Sequence, residues 1–178
     1  MTTTDDPTRT TADRAERAAD QAVEVPVRLE VDQLAASFLR AMGTLDAAAT
    51  RELDRAGIDP GLRELVRVRA SQLNGCAYCV DQHTRDAAAG GESAQRLNAV
   101  AVWRESPWFT ARERAALALT ESITRLSETH VPDRDHAAAA EHFAPPEEAA
   151  LIALITTINA WNALSVATRA WTPVLGAA

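Results

Sequence analysis

The stretch of sequence that decides the fold is residues 70–84, which read ASQLNGCAYCVDQHT. The apolar residues leading into it recur at the spacing of one helix face and are Leu62, Leu65, Val66 and Leu73. Asn74-Gly75 then supplies residue types that readily adopt the left-handed conformation in which helices end. Cys76 opens the next helix. The stretch therefore predicts two consecutive helices joined by a sharp turn.

Helical spacing of apolar residues continues on both sides of this stretch, and the alternation typical of strands is hard to find in any window. The predicted helix ends are Gly43 (after a stripe of Leu34, Phe38, Leu39 and Met42), Gly57, Ser106-Pro107 (after Leu97, Val100 and Trp103), Leu126, Phe143 and about Trp171. The predicted helix starts are Pro60, Thr110 with Glu113 in a capping box, Asp133 and Pro145-Pro146. The sequence therefore predicts an all-α protein.

Composition predicts one folded domain with a short tail. The chain has 178 residues, of which 47% are hydrophobic, which is enough for a core that needs no disulfide or metal. Residues 1–25 are acidic and nearly free of large apolar side chains, so we expect a disordered tail there and a domain over residues 26–178. The most apolar run, residues 149–160, is shorter than a membrane span and no secretory leader is evident. We expect a cytoplasmic protein without membrane contact, with this run in a core or interface helix.

The basic residues exclude several classes of function. All 18 are arginine, which rules out a Schiff-base lysine, a lysine nucleophile and the lysine of a nucleotide-binding P-loop. The formal net charge is −7 and the sequence pI is about 5.1, so we expect no nucleic-acid partner.

Both cysteines of the chain lie in the opening stretch, in a C-x-x-C-x-x-x-H pattern. If Cys76 opens a helix, then at about 100° per residue Cys79 lies about 60° from it and His83 about 20° from it, so all three share one face. The positive end of the helix dipole favours a reactive thiolate in the first turn. A peroxide can oxidise such a thiolate to a sulfenic acid, which the second cysteine can convert into a disulfide. The pattern therefore indicates a redox site.

Glu64 is a candidate partner for this site. If the chain reverses near Gly75 into an antiparallel helix pair, Glu64 and His83 differ in axial position by about three residues, or about 4.5 Å. They could then meet directly or through one water molecule. The result would be a carboxylate, imidazole and thiol relay of the general-base type.

Less specific interpretations exist for the same residues. The cysteines could form a structural disulfide or remain buried thiols, and Cys76, Cys79, His83 and Glu64 could together bind zinc, although the chain offers no second cysteine or histidine pair. Glu64 could be half of an ordinary ion pair with a neighbouring arginine. The residues expected outside any site are His130, His136 and His142 at the surface, and Trp103, Trp108, Trp161 and Trp171 in the core or a subunit contact. Tyr78 could belong to the core or to the substrate approach.

Taken together, Glu64, residues 74–79 and His83 resemble the signature of the alkylhydroperoxidase D-like (AhpD-like) branch of the carboxymuconolactone decarboxylase superfamily. Further segments similar to family members are Arg63–Val66, Trp103–Glu105 and Asn159–Asn162, and the resemblance extends over about residues 27–172. It implies an all-helical fold, a trimeric or hexameric homo-oligomer, and thiol-dependent reduction of hydroperoxides in antioxidant defence without haem, flavin or metal.

The resemblance also implies roles for individual residues. Cys79 would attack the peroxide, Cys76 would resolve the sulfenic acid, His83 would accept the proton, and Glu64 would orient and polarise the histidine. An external thiol, which the sequence does not identify, would reopen the disulfide. The chain departs from the family pattern at Tyr78, where the best-studied members have a second histidine. Because an unperturbed phenol has a pKa near 10, Tyr78 is a poor base at neutral pH.

Two other functions fit parts of the pattern. A decarboxylase or isomerase of the superfamily would act on a small acid by acid–base chemistry without thiols. A redox-responsive binding protein would use the disulfide to change its assembly or its partner. Activity that survives replacement of both cysteines would favour the first, and a single oxidation cycle without turnover would favour the second.

Overall fold

The computed structural model of the chain describes residues 23–174, and every regular element in that range is helical. In chain order the elements are α1 (Val31–Leu34), α2 (Ala36–Ala56), α3 (Pro60–Asn74), α4 (Ala77–Ala89), α5 (Ala94–Ala99), a 3-10 helix (Val100–Val102), α6 (Ala111–Thr124), α7 (Leu126–Thr129), α8 (Asp133–Ala140) and α9 (Pro145–Thr168). The predicted all-α class is confirmed.

The predicted tail, residues 1–25, lies outside the described residues except for its last three. Of these, Val23 is 89% exposed and Val25 is 51% exposed. The prediction of a boundary at residue 26 between a tail and a domain stays a prediction. A little further along, the backbone N–H groups of Arg28 and Leu29 both donate to the Thr168 carbonyl, which fixes this part of the chain to the end of α9.

Several predicted helix boundaries are confirmed by the backbone. Gly57 and Gly75 follow α2 and α3 in the left-handed conformation, with φ of 68° and 69°. Thr110 and Glu113 form the predicted capping box at the start of α6, and Pro145 is the first residue of α9. The local signals were sufficient at these positions because capping and left-handed geometry depend on only a few neighbouring residues.

The predicted helix end at Gly43 is wrong, since α2 continues through Gly43 for 21 residues. A glycine inside a helix costs only about 1 kcal/mol, and the continuous face of Met42, Ala49 and Leu53 is buried on both sides of it. The predicted stripe is also only partly buried. Phe38 is 53% exposed, and Leu34 is exposed as well.

Five other boundaries differ from the prediction. The helix with Leu97 ends at Ala99, and α6 ends at Thr124 rather than Leu126. Asp133 is the first residue of α8 and not its cap, and α8 ends at Ala140 instead of Phe143. α9 ends at Thr168 because Arg169 adopts the left-handed conformation, with φ of 52°. These ends lack a glycine or proline signal at the residue where the helix stops.

The core is built around α9, which packs against α2, α3 and α6. Leu151, Leu154 and Ile155 are at most 1% exposed, so the prediction of a core role for the apolar run is confirmed. By length and composition alone, α9 is also long and apolar enough to cross a membrane. No other helix among residues 23–174 meets this criterion. An apolar core helix passes the same test.

Candidate active site

The two cysteines lie at the start of α4 and form a disulfide. Cys76 is the N-cap of this helix, and its Sγ accepts a hydrogen bond from the backbone N–H of Cys79 at 3.2 Å. Gly75 makes the turn possible, because its left-handed backbone lets α3 end and α4 begin with a single residue between Gly75 and Ala77. Both sulfurs thus lie at the positive end of α4.

Glu64 and His83 meet in the structure. α3 and α4 pack against each other, and His83 Nδ1 lies 2.9 Å from Glu64 Oε2. The carboxylate can only accept, so Nδ1 carries the proton and donates it in this hydrogen bond. Nε2 of the same ring is then the basic nitrogen, and it has no hydrogen-bond partner among residues 23–174. Helix geometry predicted a meeting either directly or through one water molecule, and the contact in the structure is direct.

Arg67 completes this pair by donating to the second oxygen of Glu64. Burial alone would raise the pKa of Glu64, but the hydrogen bond from His83 and the positive charge of Arg67 outweigh it and lower that pKa. Glu64 is therefore a carboxylate at neutral pH. The sequence suggested an ion pair between Glu64 and a neighbouring arginine without singling out Arg67, and its place in the site was missed.

A cavity of about 490 Å³, here called the Cys79 cavity, is shared by one residue of the redox pair and one residue of the acid–base pair. Cys79, His83 and Arg67 all line it. The other side chains that line it are Asp46, Tyr78, Gln82, Asp86, Ile158, Trp161 and Trp171. Its volume lies in the range typical of small-molecule sites. The four residues predicted for the site, Cys76, Cys79, His83 and Glu64, are thus brought close together, while their individual roles stay predictions.

Three aromatic side chains form one wall of the Cys79 cavity. The ring centroids of Tyr78 and Trp171 are 6.1 Å apart, and those of Trp161 and Trp171 are 5.9 Å apart in an edge-to-face arrangement. Trp171 Nε1 donates to Asp32 at 3.2 Å. Trp161 and Trp171 were predicted as core or subunit-contact residues; they are partly buried and line this cavity, and a subunit contact stays a prediction. Trp103 is buried as predicted.

Asparagines hold the end of α3 in place. Asn74 Nδ2 donates to Asn159 Oδ1 at 2.7 Å and to Asn162 Oδ1 at 3.0 Å. Asn162 Nδ2 in turn donates to Ser71 Oγ at 3.0 Å. Both Asn159 and Asn162 lie on α9. They bind the last turn of α3, next to the turn that presents Cys76.

Glu121 is a buried carboxylate that sequence reasoning missed. It accepts hydrogen bonds from Arg69 Nε at 2.8 Å, Trp103 Nε1 at 2.8 Å and Arg104 Nη1 at 2.5 Å. Burial opposes ionisation, but these donors, with Arg104 the strongest, lower the pKa of Glu121. It lies outside the Cys79 cavity. Its role is to fix Trp103 and the following turn to α3.

Metal binding by the cysteines is not favoured, since both sulfurs are taken up in the disulfide. Among the residues that the structure describes, one group has the ligand atoms and spacing for a metal ion, namely Glu64, His83 and Asp86, with atoms within 4.8 Å of one another. The proton on His83 Nδ1 and the charge of Arg67 both compete with a cation there. The remaining histidines, His130, His136 and His142, are exposed as predicted.

Comparison with known proteins assigns this site to a family. The model of the carboxymuconolactone decarboxylase family matches residues 36–122, a range that holds α3, α4 and all four predicted site residues. An uncharacterised protein of Bacillus subtilis, YdfG, is 39% identical over 113 residues, which are 64% of this chain and 77% of that protein. The chain belongs to the carboxymuconolactone decarboxylase family.

Solved structures place the chain near the AhpD-like members of the carboxymuconolactone decarboxylase family. A protein of unknown function from Agrobacterium tumefaciens, named for the antioxidant defence protein AhpD, superimposes with a TM-score of 0.77 at 32% identity over 84% of this chain and 99% of that chain. The debrominase Bmp8 has the same fold, with a TM-score of 0.66 at 20% identity over 76% of this chain and 70% of that chain. This family fold therefore supports more than one activity.

Proposed function

We propose that this protein is a thiol-dependent hydroperoxide reductase that acts in antioxidant defence. The observation that carries the proposal is the Cys76–Cys79 disulfide at the start of α4, with Cys79 in the same cavity as a histidine held by a carboxylate. A disulfide that closes so short a segment, at the positive end of a helix, is typical of a redox pair. The AhpD-like fold and the family assignment support the same activity.

The first half of the reaction uses the reduced protein. The Cys79 thiolate attacks the terminal peroxide oxygen, the O–O bond breaks, and the alcohol leaves with a proton, so Cys79 becomes a sulfenic acid. The sulfur of Cys76 then attacks the sulfur of Cys79, the S–O bond breaks, and water leaves. One hydroperoxide and two thiols thus give one alcohol, one water and one disulfide.

Glu64 and His83 supply the proton transfers in this scheme. Because Glu64 fixes the proton on Nδ1, His83 Nε2 is free to take the Cys79 proton and later to return it to the leaving alkoxide. The negative charge of Glu64 stabilises the imidazolium that forms in between. Arg67 keeps Glu64 ionised, so it acts on the relay through the carboxylate.

The proposal includes partners and surroundings. An external thiol, not identified by the site, reduces the disulfide, and the protein works in the cytoplasm without nucleic acid or a membrane. We further propose a trimer or hexamer, because the apolar side chains of Phe38 and Leu45 on α2 are each about half exposed. Light scattering should then give three or six times the chain mass of 19.1 kDa, and a monomer would contradict this part.

The decisive experiment adds one equivalent of cumene hydroperoxide to the fully reduced protein. We expect prompt loss of both thiols, formation of the Cys76–Cys79 disulfide in peptide mass spectrometry, and one equivalent of the alcohol. Cys79→Ser should abolish peroxide loss. Two intact thiols in the wild type, or unchanged peroxide consumption by Cys79→Ser, would refute the proposal.

An acid–base reaction of the decarboxylase type is the second candidate. The specific observation in its favour is that His83, whose Nδ1 is held by Glu64, lines the cavity and can act as a base without the sulfurs. Such a reaction would not depend on the cysteines. Retained turnover of a lactone substrate by the double variant Cys76→Ser, Cys79→Ser would favour this candidate over peroxide reduction.

A further inference from the structure

The two cysteines of the disulfide line different cavities. Cys79 lines the Cys79 cavity described above, whereas Cys76 lines a separate cleft of about 610 Å³, here called the Cys76 cleft. Tyr78 and Trp171 line both spaces and so form the partition between them. Cys76 is 1% exposed and Cys79 is 5% exposed. Cys76 also lines a further groove, which contains Asp81 and no arginine. A reagent can therefore approach Cys76 without passing through the Cys79 cavity.

The charges around the two cavities have opposite balance. In the Cys79 cavity, Asp46 and Asp86 accompany a single arginine, Arg67, which is already paired with Glu64. In the Cys76 cleft, two arginines, Arg28 and Arg169, accompany a single acid, Glu24. Clefts lined by charge of one sign concentrate ligands of the other sign. The first space thus disfavours anions and the second attracts them.

The arginines of the Cys76 cleft are held by the backbone, and their charges are available to a ligand. Arg28 belongs to the segment whose N–H groups donate to the Thr168 carbonyl, and Arg169 follows Thr168 directly. Within the described part of the chain, Arg28 Nη1 donates to the Val166 carbonyl at 3.3 Å, and no carboxylate pairs with this guanidinium. The Arg169 side chain has no hydrogen-bond or ion-pair partner within residues 23–174. The volume of the cleft suits a small molecule better than a protein segment.

We propose that the disulfide is used from two sides: a neutral hydroperoxide reaches Cys79 through its cavity, and a low-molecular-weight thiol carrying a carboxylate reduces the disulfide at Cys76 through the Cys76 cleft. The carboxylate binds between Arg28 and Arg169. This inference rests on the proposed function, since it names the reductant class of the same redox site. It separates the two co-substrates in space, so neither blocks the other.

The reduction proceeds by two thiol–disulfide exchanges. The thiolate of the small molecule attacks Sγ of Cys76, the Cys76–Cys79 bond breaks, and Cys79 leaves as a thiolate, the form that attacks the next peroxide. A second thiolate then attacks the sulfur of the small molecule in the mixed disulfide. Cys76 leaves and is protonated, and the small molecule departs as its own disulfide. Two thiols are oxidised and one protein disulfide is reduced.

The first test locates the mixed disulfide. Oxidised wild-type protein is mixed with 3-mercaptopropionate without any peroxide and quenched at the earliest times with N-ethylmaleimide, and its peptides are mapped by mass spectrometry. We expect the mercaptopropionate adduct on Cys76 and the maleimide on Cys79. The reverse labelling would overturn the proposal.

The second test measures charge selectivity. The rate of disulfide reduction is compared for 3-mercaptopropionate, which is anionic, and 2-mercaptoethanol, which is neutral, and the ratio of the two rates cancels differences in protein reactivity. We expect Arg169→Gln and Arg28→Gln each to lower this ratio about two- to fivefold, as for a partly exposed ion pair. Arg134→Gln, which removes an exposed arginine on α8, is the matched control and should leave the ratio unchanged.

The remaining outcomes are also informative. An unchanged ratio in both cleft variants, or an equal fall in the Arg134→Gln control, would overturn the proposal. Failure of both small thiols to reduce the wild-type disulfide would also overturn it, in favour of a protein reductant. Because no step uses peroxide, these results are independent of whether the protein consumes hydroperoxides. Failure of the proposed function would instead leave the thiols intact in the cumene hydroperoxide experiment.

Discussion

His83 Nδ1 lies 2.9 Å from Glu64 Oε2, across 19 residues of chain and between two adjacent helices. The contact sets which ring nitrogen carries the proton and leaves the other one basic. It also fixes the imidazole on the side of α4 that faces the Cys79 cavity. The relay of the proposed reaction depends on this one hydrogen bond more than on any other contact of the site.

Replacement of Glu64 by Gln should slow peroxide reduction strongly while preserving the fold. The amide keeps the size of the side chain but removes the charge that stabilises an imidazolium, so we expect the rate to fall about tenfold to hundredfold. Initial rates of cumene hydroperoxide loss by the reduced protein measure the effect, and circular dichroism checks the fold. Glu105→Gln changes an exposed acid and should react at the wild-type rate. Equal rates for both variants would exclude the relay.

Replacement of Cys76 by Ser should leave Cys79 reactive but unprotected. We expect one equivalent of peroxide to convert Cys79 into a sulfenic acid, and excess peroxide to carry it on to the sulfinic acid, because no neighbouring thiol condenses with it. Intact-mass spectrometry should show the gain of one and then two oxygen atoms. In Cys79→Ser, Cys76 should stay a free thiol. The opposite pattern would mean that the two cysteines have exchanged roles.

Glu121 should couple stability to pH. The pKa of Glu121 is lower in the folded state than in the unfolded chain, so the unfolded chain binds more protons as the pH falls. The ionised carboxylate therefore stabilises the fold fully above the unfolded pKa. This stabilisation is lost as the pH falls through the lower folded pKa. At pH 7 we expect Glu121→Gln to lower the free energy of unfolding by about 3 kcal/mol, because Arg69, whose side chain is only 12% exposed, loses its carboxylate partner.

The matching measurement is urea unfolding between pH 3 and pH 7. The difference in the free energy of unfolding between wild type and Glu121→Gln should become smaller below about pH 4.5, because only the wild type has a carboxylate at residue 121 that can lose its charge there. Glu128→Gln, at an exposed position, is the control, and its free energy of unfolding should equal that of the wild type at every pH. A difference that stays constant down to pH 3 would argue against a lowered pKa.

Asn162 should be important for stability although it is far from the sulfurs in sequence. The side chain is fully buried at 0% exposure, and it bonds both Ser71 and Asn74. We expect Asn162→Ala to lower the free energy of unfolding by about 2 to 4 kcal/mol, because the substitution leaves buried polar groups unpaired. Asn98→Ala, at an exposed position on α5, should change it by less than about 0.5 kcal/mol. Similar losses in both variants would show that the asparagine network contributes little.

Sequence reasoning succeeded where short-range geometry decides the outcome. The left-handed ends at Gly57 and Gly75 depend on one residue each. The meeting of Glu64 and His83 followed from the helix rise once a turn at Gly75 was assumed. The same reasoning failed at Gly43, because the burial of Met42 and Leu53 against distant parts of the chain outweighs the small helix penalty of one glycine.

The parts of the site that sequence did not reveal are those assembled from remote segments. Trp171 reaches the Cys79 cavity only because α9 ends at Thr168 and the chain turns there. Glu121 meets Arg69 across 52 residues, and neither neighbourhood contains a signal for the other. Such contacts depend on how α9 and α6 pack on α3, which periodicity does not determine.

The disulfide joins residues only three apart in sequence, so it closes one of the smallest rings that a protein cross-link can form. In the chain-entropy view, the stabilisation from a cross-link grows with the length of the loop it closes. Most of the cohesion of this molecule must come from the apolar packing around α9. The fold therefore does not depend on the redox state of the disulfide, and the protein can be oxidised and reduced repeatedly without unfolding.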